Sequence, residues 1–119
     1  MASSLKQNKM YYKYKVMCMV SSNPNITYRQ IANKIGISTG AAYNLMTSLI
    51  GQGAIYIENI NKKKTRKIHS YKLSNIGIRE KAILSREVLV LKKAQLIELK
   101  NEITLLELEV SSKIENNDN

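Results

Sequence analysis

The chain has 119 residues, 44% of them apolar, which suffices for one domain or one small domain with an appended element and excludes a large core. No run approaches the apolar length of a bilayer span, and the polar, basic N-terminus lacks a following apolar segment of signal-peptide type, so the expected compartment is the cytoplasm, with no membrane partner. The formal charge of +10 is unevenly placed: 1–74 holds 12 Lys and Arg against the single acid Glu58, whereas 75–119 holds 7 basic residues against 8 acids. A basic body joined to a near-neutral tail suits a polyanion on one side and a protein partner on the other.

Residues 1–6 carry no periodic pattern and are expected to fray. A first helix is predicted over 7–22, with Tyr12, Val16, Met19 and Val20 on one face and Lys9, Lys13 and Lys15 elsewhere on its surface. Pro24 ends it, because it lacks a donor and disfavours helix in the residue before it. Cys18, the one cysteine, cannot form an internal disulfide and reads as an inert buried thiol.

The stretch 26–53 organises the chain. Thr27 and Gln30 have the spacing of a capping box, and Ile26 and Ile31 that of a hydrophobic staple, so a helix is predicted over 28–35. Tyr28, Ile31, Ala32 and Ile35 form its apolar stripe, and Gly36 can take the left-handed conformation that closes it. Ile37 plugs the turn, Ser38 caps a second helix over 39–51, and Ala42, Leu45 and Leu49 face inward. The opposite face carries Thr39, Gly40, Tyr43, Asn44, Thr47 and Ser48, small or polar and without an acid. A helix that enters a major groove about 12 Å wide needs such a face, and the whole stretch reads as a helix-turn-helix.

After Gly51 and Gly53 the period changes from helical to alternating. Ile55 and Ile57 alternate with Tyr56 and Glu58, and His69, Tyr71 and Leu73 share one side of a second run, which predicts a hairpin over 54–73. Its tip holds Lys62, Lys63, Lys64, Arg66 and Lys67. A hairpin with a basic tip directly after a helix-turn-helix is a winged helix, and its cations suit flanking phosphates, with Arg66 placed for the minor groove. His69 has no His, Cys or acid at ligand spacing and reads as a strand residue, so no metal is expected.

Ser74 caps a final helix over 75–114, followed by a polar tail over 115–119 expected to be disordered. A helix of that length outruns the domain and must find a partner. Leu96, Leu99, Ile103, Leu106 and Val110 have coiled-coil spacing, and Leu84, Val88 and Leu91 form an earlier seam displaced by one residue, as at a stutter. Ile97, Leu105 and Leu108 add a second strip that leaves room for a higher oligomer. In a parallel pair Glu102 would face Glu107 of the other chain, which inclines the pairing toward antiparallel.

The order of helix, helix-turn-helix and wing resembles the MarR-like winged-helix transcriptional regulators. The junction Tyr71-Lys72-Leu73-Ser74-Asn75-Ile76-Gly77-Ile78-Arg79-Glu80-Lys81-Ala82 looks, more narrowly, like that of the small exopolysaccharide-associated MarR-type regulators, which also continue into a long charged helix. The resemblance covers about 9–110 and implies that Ser38, Thr39, Tyr43 and Asn44 read bases while Lys62 to Lys67 grip the backbone. The recognition helix lacks the Arg that usually reads guanine, and the chain supplies its dimer element mainly from the C-terminal side, with a small-molecule effector left unassigned.

The expected fold is therefore mainly α with a small β-hairpin (α+β): a winged helix-turn-helix over 1–74, then a long C-terminal coiled-coil helix that makes a homodimer. The candidate residues for double-stranded DNA are Thr27, Arg29, Ser38, Thr39, Tyr43, Asn44, Thr47, Lys62, Lys63, Lys64, Arg66 and Lys67. The alternatives are an architectural, weakly sequence-specific DNA-binding protein and a protein-interaction adaptor, the last of which poorly explains a single acid in 1–74. No catalytic constellation is visible, so neither an enzyme nor a cofactor is expected.

Overall fold

The computed structural model describes the backbone of 2–63 and 66–117 and the side chains of 7–58 and 69–113. Its elements are α1 (Ala2–Ser22), α2 (Tyr28–Ile35), α3 (Thr39–Gly51), β1 (Ile55–Lys63), β2 (Arg66–Leu73) and α4 (Asn75–Asn117). This is a mainly helical fold with a two-stranded antiparallel hairpin, as the sequence patterns imply.

Local chemistry sets the helix ends. The Gln30 backbone N–H donates to the Thr27 hydroxyl at 3.2 Å, and the Thr27 N–H donates to the Gln30 side chain at 3.0 Å, completing the capping box. Gly36 closes α2 at φ 81°, a conformation that costs glycine little, and its N–H donates to the Ala32 carbonyl. The Ser38 hydroxyl caps α3 by accepting from the Ala41 N–H at 3.0 Å.

The core lies where α1, α2, α3 and the base of the hairpin meet. Val16, Met19 and Val20 of α1 are buried as their spacing predicts, joined by Met17. Ile26 and Ile31 staple α2 into this core, while Ala42, Met46 and Leu49 supply the inner face of α3, Leu45 being only half-buried. Met46 stands four after Ala42 and three before Leu49, and Met17 three before Val20, so both lie on inward helical positions, where an unbranched thioether adapts to the space between helices. Cys18 is half-buried rather than buried, and its hydrogen bond with Tyr14 raises the Tyr14 pKa.

The hairpin departs from simple alternation at one point. Ile55 pairs with Leu73 and Ile57 with Tyr71, but the next partners are Asn59 and Ser70, so Glu58 is an extra residue on β1. The bulge leaves Ile57 exposed, although the alternating pattern placed it beside the buried Ile55. At the base of the wing, the Tyr71 N–H donates to the Pro24 carbonyl at 2.8 Å, which ties β2 to the loop before α2.

Three boundaries also differ from the expected ones. α1 starts at Ala2 rather than near residue 7, since no residue in 2–6 breaks a helix. α4 continues to Asn117, because Glu115, Asn116 and Asn117 are polar but include no Gly or Pro; Asp118 and Asn119 lie outside the described residues. The chain divides into the units Met1–Val88 and Leu89–Asn119, so the start of α4 belongs to the winged helix and the boundary does not fall at residue 74.

The junction explains that shift. Ser74 donates its N–H to the Ala54 carbonyl at 3.0 Å and its hydroxyl to the Gly53 carbonyl, while the same hydroxyl accepts from the Gly77 N–H at 3.0 Å. Further along α4, Lys13 of α1 pairs with Glu80 at 3.8 Å, Leu84 packs on the core and Val88 is buried. Leu84 and Val88, read from sequence as an early intermolecular seam, thus pack within the protomer. Among the described residues no helix is long and apolar enough to cross a membrane.

Candidate nucleic-acid interface

Helix α3 presents its polar side outward: Thr39, Gly40, Tyr43, Asn44, Thr47 and Ser48 are all exposed, and none is acidic. Three hydroxyls at this face are already engaged, that of Ser48 by accepting from the Gln52 side-chain amide at 3.4 Å. The Ser38 hydroxyl, just before it, is the cap of α3, and the Thr47 hydroxyl donates back to the carbonyls of Tyr43 and Asn44. Asn44 brings an amide to the same exposed face, and an amide can pair with adenine in bidentate fashion.

Tyr43 is 50% exposed, yet it does not stand alone. The ring of Tyr28, on α2, meets it in a T-shaped arrangement with centroids 5.3 Å apart. Tyr28 in turn accepts a hydrogen bond from the hydroxyl of Tyr71, on β2, at 3.2 Å. Tyr71 is buried, and that burial, reinforced by the hydrogen bond, holds its phenol well above the ordinary range. Three tyrosines therefore link the wing, the first helix of the pair and the recognition face. The sequence pattern puts Tyr28 on the apolar stripe of α2 and Tyr71 on one side of the second strand, and neither placement implies their contact.

Thr27 and Arg29 are exposed at the start of α2, the Thr27 oxygen being occupied by the capping box. The register pairs Lys62 with Lys67 and Lys63 with Arg66 across the hairpin. The side chains of Lys62, Lys63, Arg66 and Lys67, and Lys64 as a whole, lie outside the described residues. His69 stacks on Tyr71, with centroids 6.0 Å apart and the rings 18° from coplanar, as a strand residue beneath the wing. Behind α3, Met10, Lys13, Leu45, Leu84 and Glu87 help to line an open groove of about 580 Å³.

Residues 11–56 match the family model described as winged helix-turn-helix DNA-binding. The solved structures are consistent with it. A MarR from Staphylococcus aureus, in complex with salicylate and kanamycin, superposes with a TM-score of 0.51 at 20% identity, covering 72% of this chain and 56% of that one. The PcaV transcriptional regulator of Streptomyces coelicolor, in complex with its natural ligand, gives a TM-score of 0.62 at 13% identity, covering 90% and 74%. A MarR/EmrR family transcriptional regulator from Acinetobacter sp. ADP1 gives 0.59 at 16% identity, covering 87% and 75%.

The protein has a MarR-type winged-helix fold. The matched segment runs from within α1 to the start of β1, and the wing and α4 complete the same architecture. The chain spans only about half, 56%, of the length of the S. aureus MarR it matches. No curated protein matches the sequence.

Proposed function

We propose that this MarR-type winged helix is a homodimeric, DNA-binding transcriptional regulator and not an enzyme. The reading rests on one observation above the others: α3 exposes a continuous polar face without an acid, from Thr39 to Ser48, on a helix braced by Tyr28. Such a face can enter a major groove without repelling phosphates, and the surrounding body, with 12 cations and one acid in 1–74, supplies the sequence-independent attraction. Ser38, Thr39, Tyr43 and Asn44 would contact base edges. Thr27, Arg29 and Thr47 would lie beside them, and Lys62, Lys63, Lys64, Arg66 and Lys67 would reach the flanking phosphates or minor groove.

Dimerisation through α4 would present two recognition helices to two half-sites. Support comes from Leu96, Leu99, Ile103, Leu106 and Val110, which are 45–63% exposed on a single helix and would be unfavourable in water without a partner. The absence of an Arg on the recognition face keeps the architectural reading in view, since such a face discriminates bases less sharply.

Selection of binding sites from a random DNA pool decides between them. An enriched inverted or direct repeat, with affinity about 10³-fold or more above random DNA, is the expected result. Tight binding without enrichment would assign the protein to the architectural class, and no binding at low salt would overturn DNA recognition altogether.

A further inference from the structure

The outward positions of α4 fall into one unbroken heptad register. Leu89, Leu96, Ile103 and Val110 recur every seven residues, Leu99 and Leu106 stand three after Leu96 and Ile103, and all six are about half exposed. Lys92 and Lys113 occupy the remaining inner positions of this register. The displaced seam suggested by Leu84 and Val88 disappears, because those two residues serve the core of their own protomer.

Charge is segregated along the same helix. Beyond Val88, residues 89–97 carry two cations and no acid, a net +2, whereas 98–113 carry two cations and four acids, a net −2. Two such helices laid side by side in the same direction set like charge against like over their whole length; laid in opposite directions they set basic against acidic halves. Building on the dimer reading above, we infer that a second copy of this chain covers the strip in antiparallel orientation, with the midpoint near Asn101.

That midpoint stacks Leu96 on Leu106 and Leu99 on Ile103 of the second copy, each contact occurring twice by symmetry, which gives four contiguous apolar layers. In an antiparallel pair the residue following the second core position faces its own kind across the seam, so Lys93 faces Glu107 of the second copy, also twice. Lys100 and Glu102 each face themselves once at the midpoint. Two attractive pairs thus accompany two repulsive ones. A parallel pair instead sets Glu102 against Glu107 twice, with no attractive pair to offset them.

Charge reversal at one position separates the orientations by sign. Glu107→Lys would set Lys93 against a second cation in the antiparallel dimer and weaken it, whereas in a parallel dimer the new cation would face Glu102 and tighten it. Sedimentation equilibrium of the full-length protein at low salt is expected to give a dimer dissociation constant about tenfold higher for E107K and for K93E, and a return to near the parent value when both are combined. Circular dichroism of each variant keeps loss of helix distinct from loss of pairing. A tighter E107K dimer, or a double variant no better than the singles, would overturn the antiparallel assignment while leaving dimerisation intact. A parent protein that stays monomeric at high concentration would overturn the dimer reading itself.

Discussion

A Cβ atom added to Gly77 would stand 2.0 Å from the carbonyl oxygen of Ala54, closer than any side-chain carbon is tolerated. That carbonyl is also the acceptor for the Ser74 N–H, so the first turn of α4 is pressed onto the end of the α3–β1 turn. Gly77 is helical and needs no unusual backbone; its requirement is for space.

Gly77→Ala should therefore destabilise the winged helix even though alanine favours helices. The obstacle is backbone, which cannot rotate away as a side chain would, so the cost belongs at the upper end of the about 1–3 kcal/mol seen for overpacked sites. For a domain of this size about 1 kcal/mol lowers the melting temperature by about 4–8 °C. Thermal melts of G77A and of S74A, which removes the cap, should both fall well below the parent. A melt of G77A at or above the parent would mean that α4 can lift from Ala54 freely.

The tyrosine chain makes stability sensitive to alkali. Burial first, and the hydrogen bond to Tyr28 second, raise the Tyr71 pKa in the folded protein above its unfolded value of about 10. The folded state then holds this proton more tightly than the unfolded chain. Its contribution is complete below about pH 10 and is lost progressively above it, as pH climbs toward the folded value. Urea unfolding at about pH 8 and about pH 11 should show a steeper alkaline loss for the parent than for Y71F, and equal slopes would remove Tyr71 from the account.

Much of this architecture is legible because it is local. The capping box at Thr27 and Gln30, the left-handed Gly36, the Ser38 cap and the polar face of α3 all follow from residues within one or two turns of each other. The burial of Ile26, Ile31 and Leu49 follows equally directly from periodicity. What escaped reading depends on residues distant in sequence. Tyr28 and Tyr71 are 43 positions apart, and nothing in either neighbourhood announces their contact. Leu84 and Val88 fit a coiled-coil spacing as well as an inward face, and only the packing of α4 on the core separates the two. The bulge at Glu58 is similarly silent, since alternation in the sequence does not reveal where a ladder skips a residue.

Base readout and backbone contact should separate by their response to sequence and salt. Asn44→Ala removes the one amide on the exposed face of α3 and should cost about 1–3 kcal/mol on a selected site while changing random-DNA affinity little. Replacing Lys62, Lys63 and Lys64 by Ala should weaken all sequences alike and reduce the salt slope by about 0.9 per lost phosphate contact. Equal losses on selected and random DNA for N44A would exclude direct readout by Asn44. An unchanged slope for the triple variant would place the wing away from the backbone.

Truncation after Ala94 tests what the long helix contributes. The unit Met1–Val88 holds the entire core cluster, from Val16 to Tyr71, so the shortened protein should remain folded and strongly basic. It loses Leu96, Leu99, Ile103, Leu106 and Val110, whose burial against a partner is worth on the order of 1.5–3 kcal/mol each before ordering costs are subtracted. That is ample to hold a dimer at micromolar concentration, so the shortened protein should sediment as a monomer. Its affinity for a two-half-site operator should fall far more than its affinity for a single half-site, because the second winged helix no longer arrives at a tethered effective concentration. A truncated protein that still dimerises would move the interface onto the winged helix itself. One that becomes monomeric yet keeps full operator affinity would make the single winged helix the binding unit, and the apolar strip of α4 would then have to serve a contact unrelated to DNA.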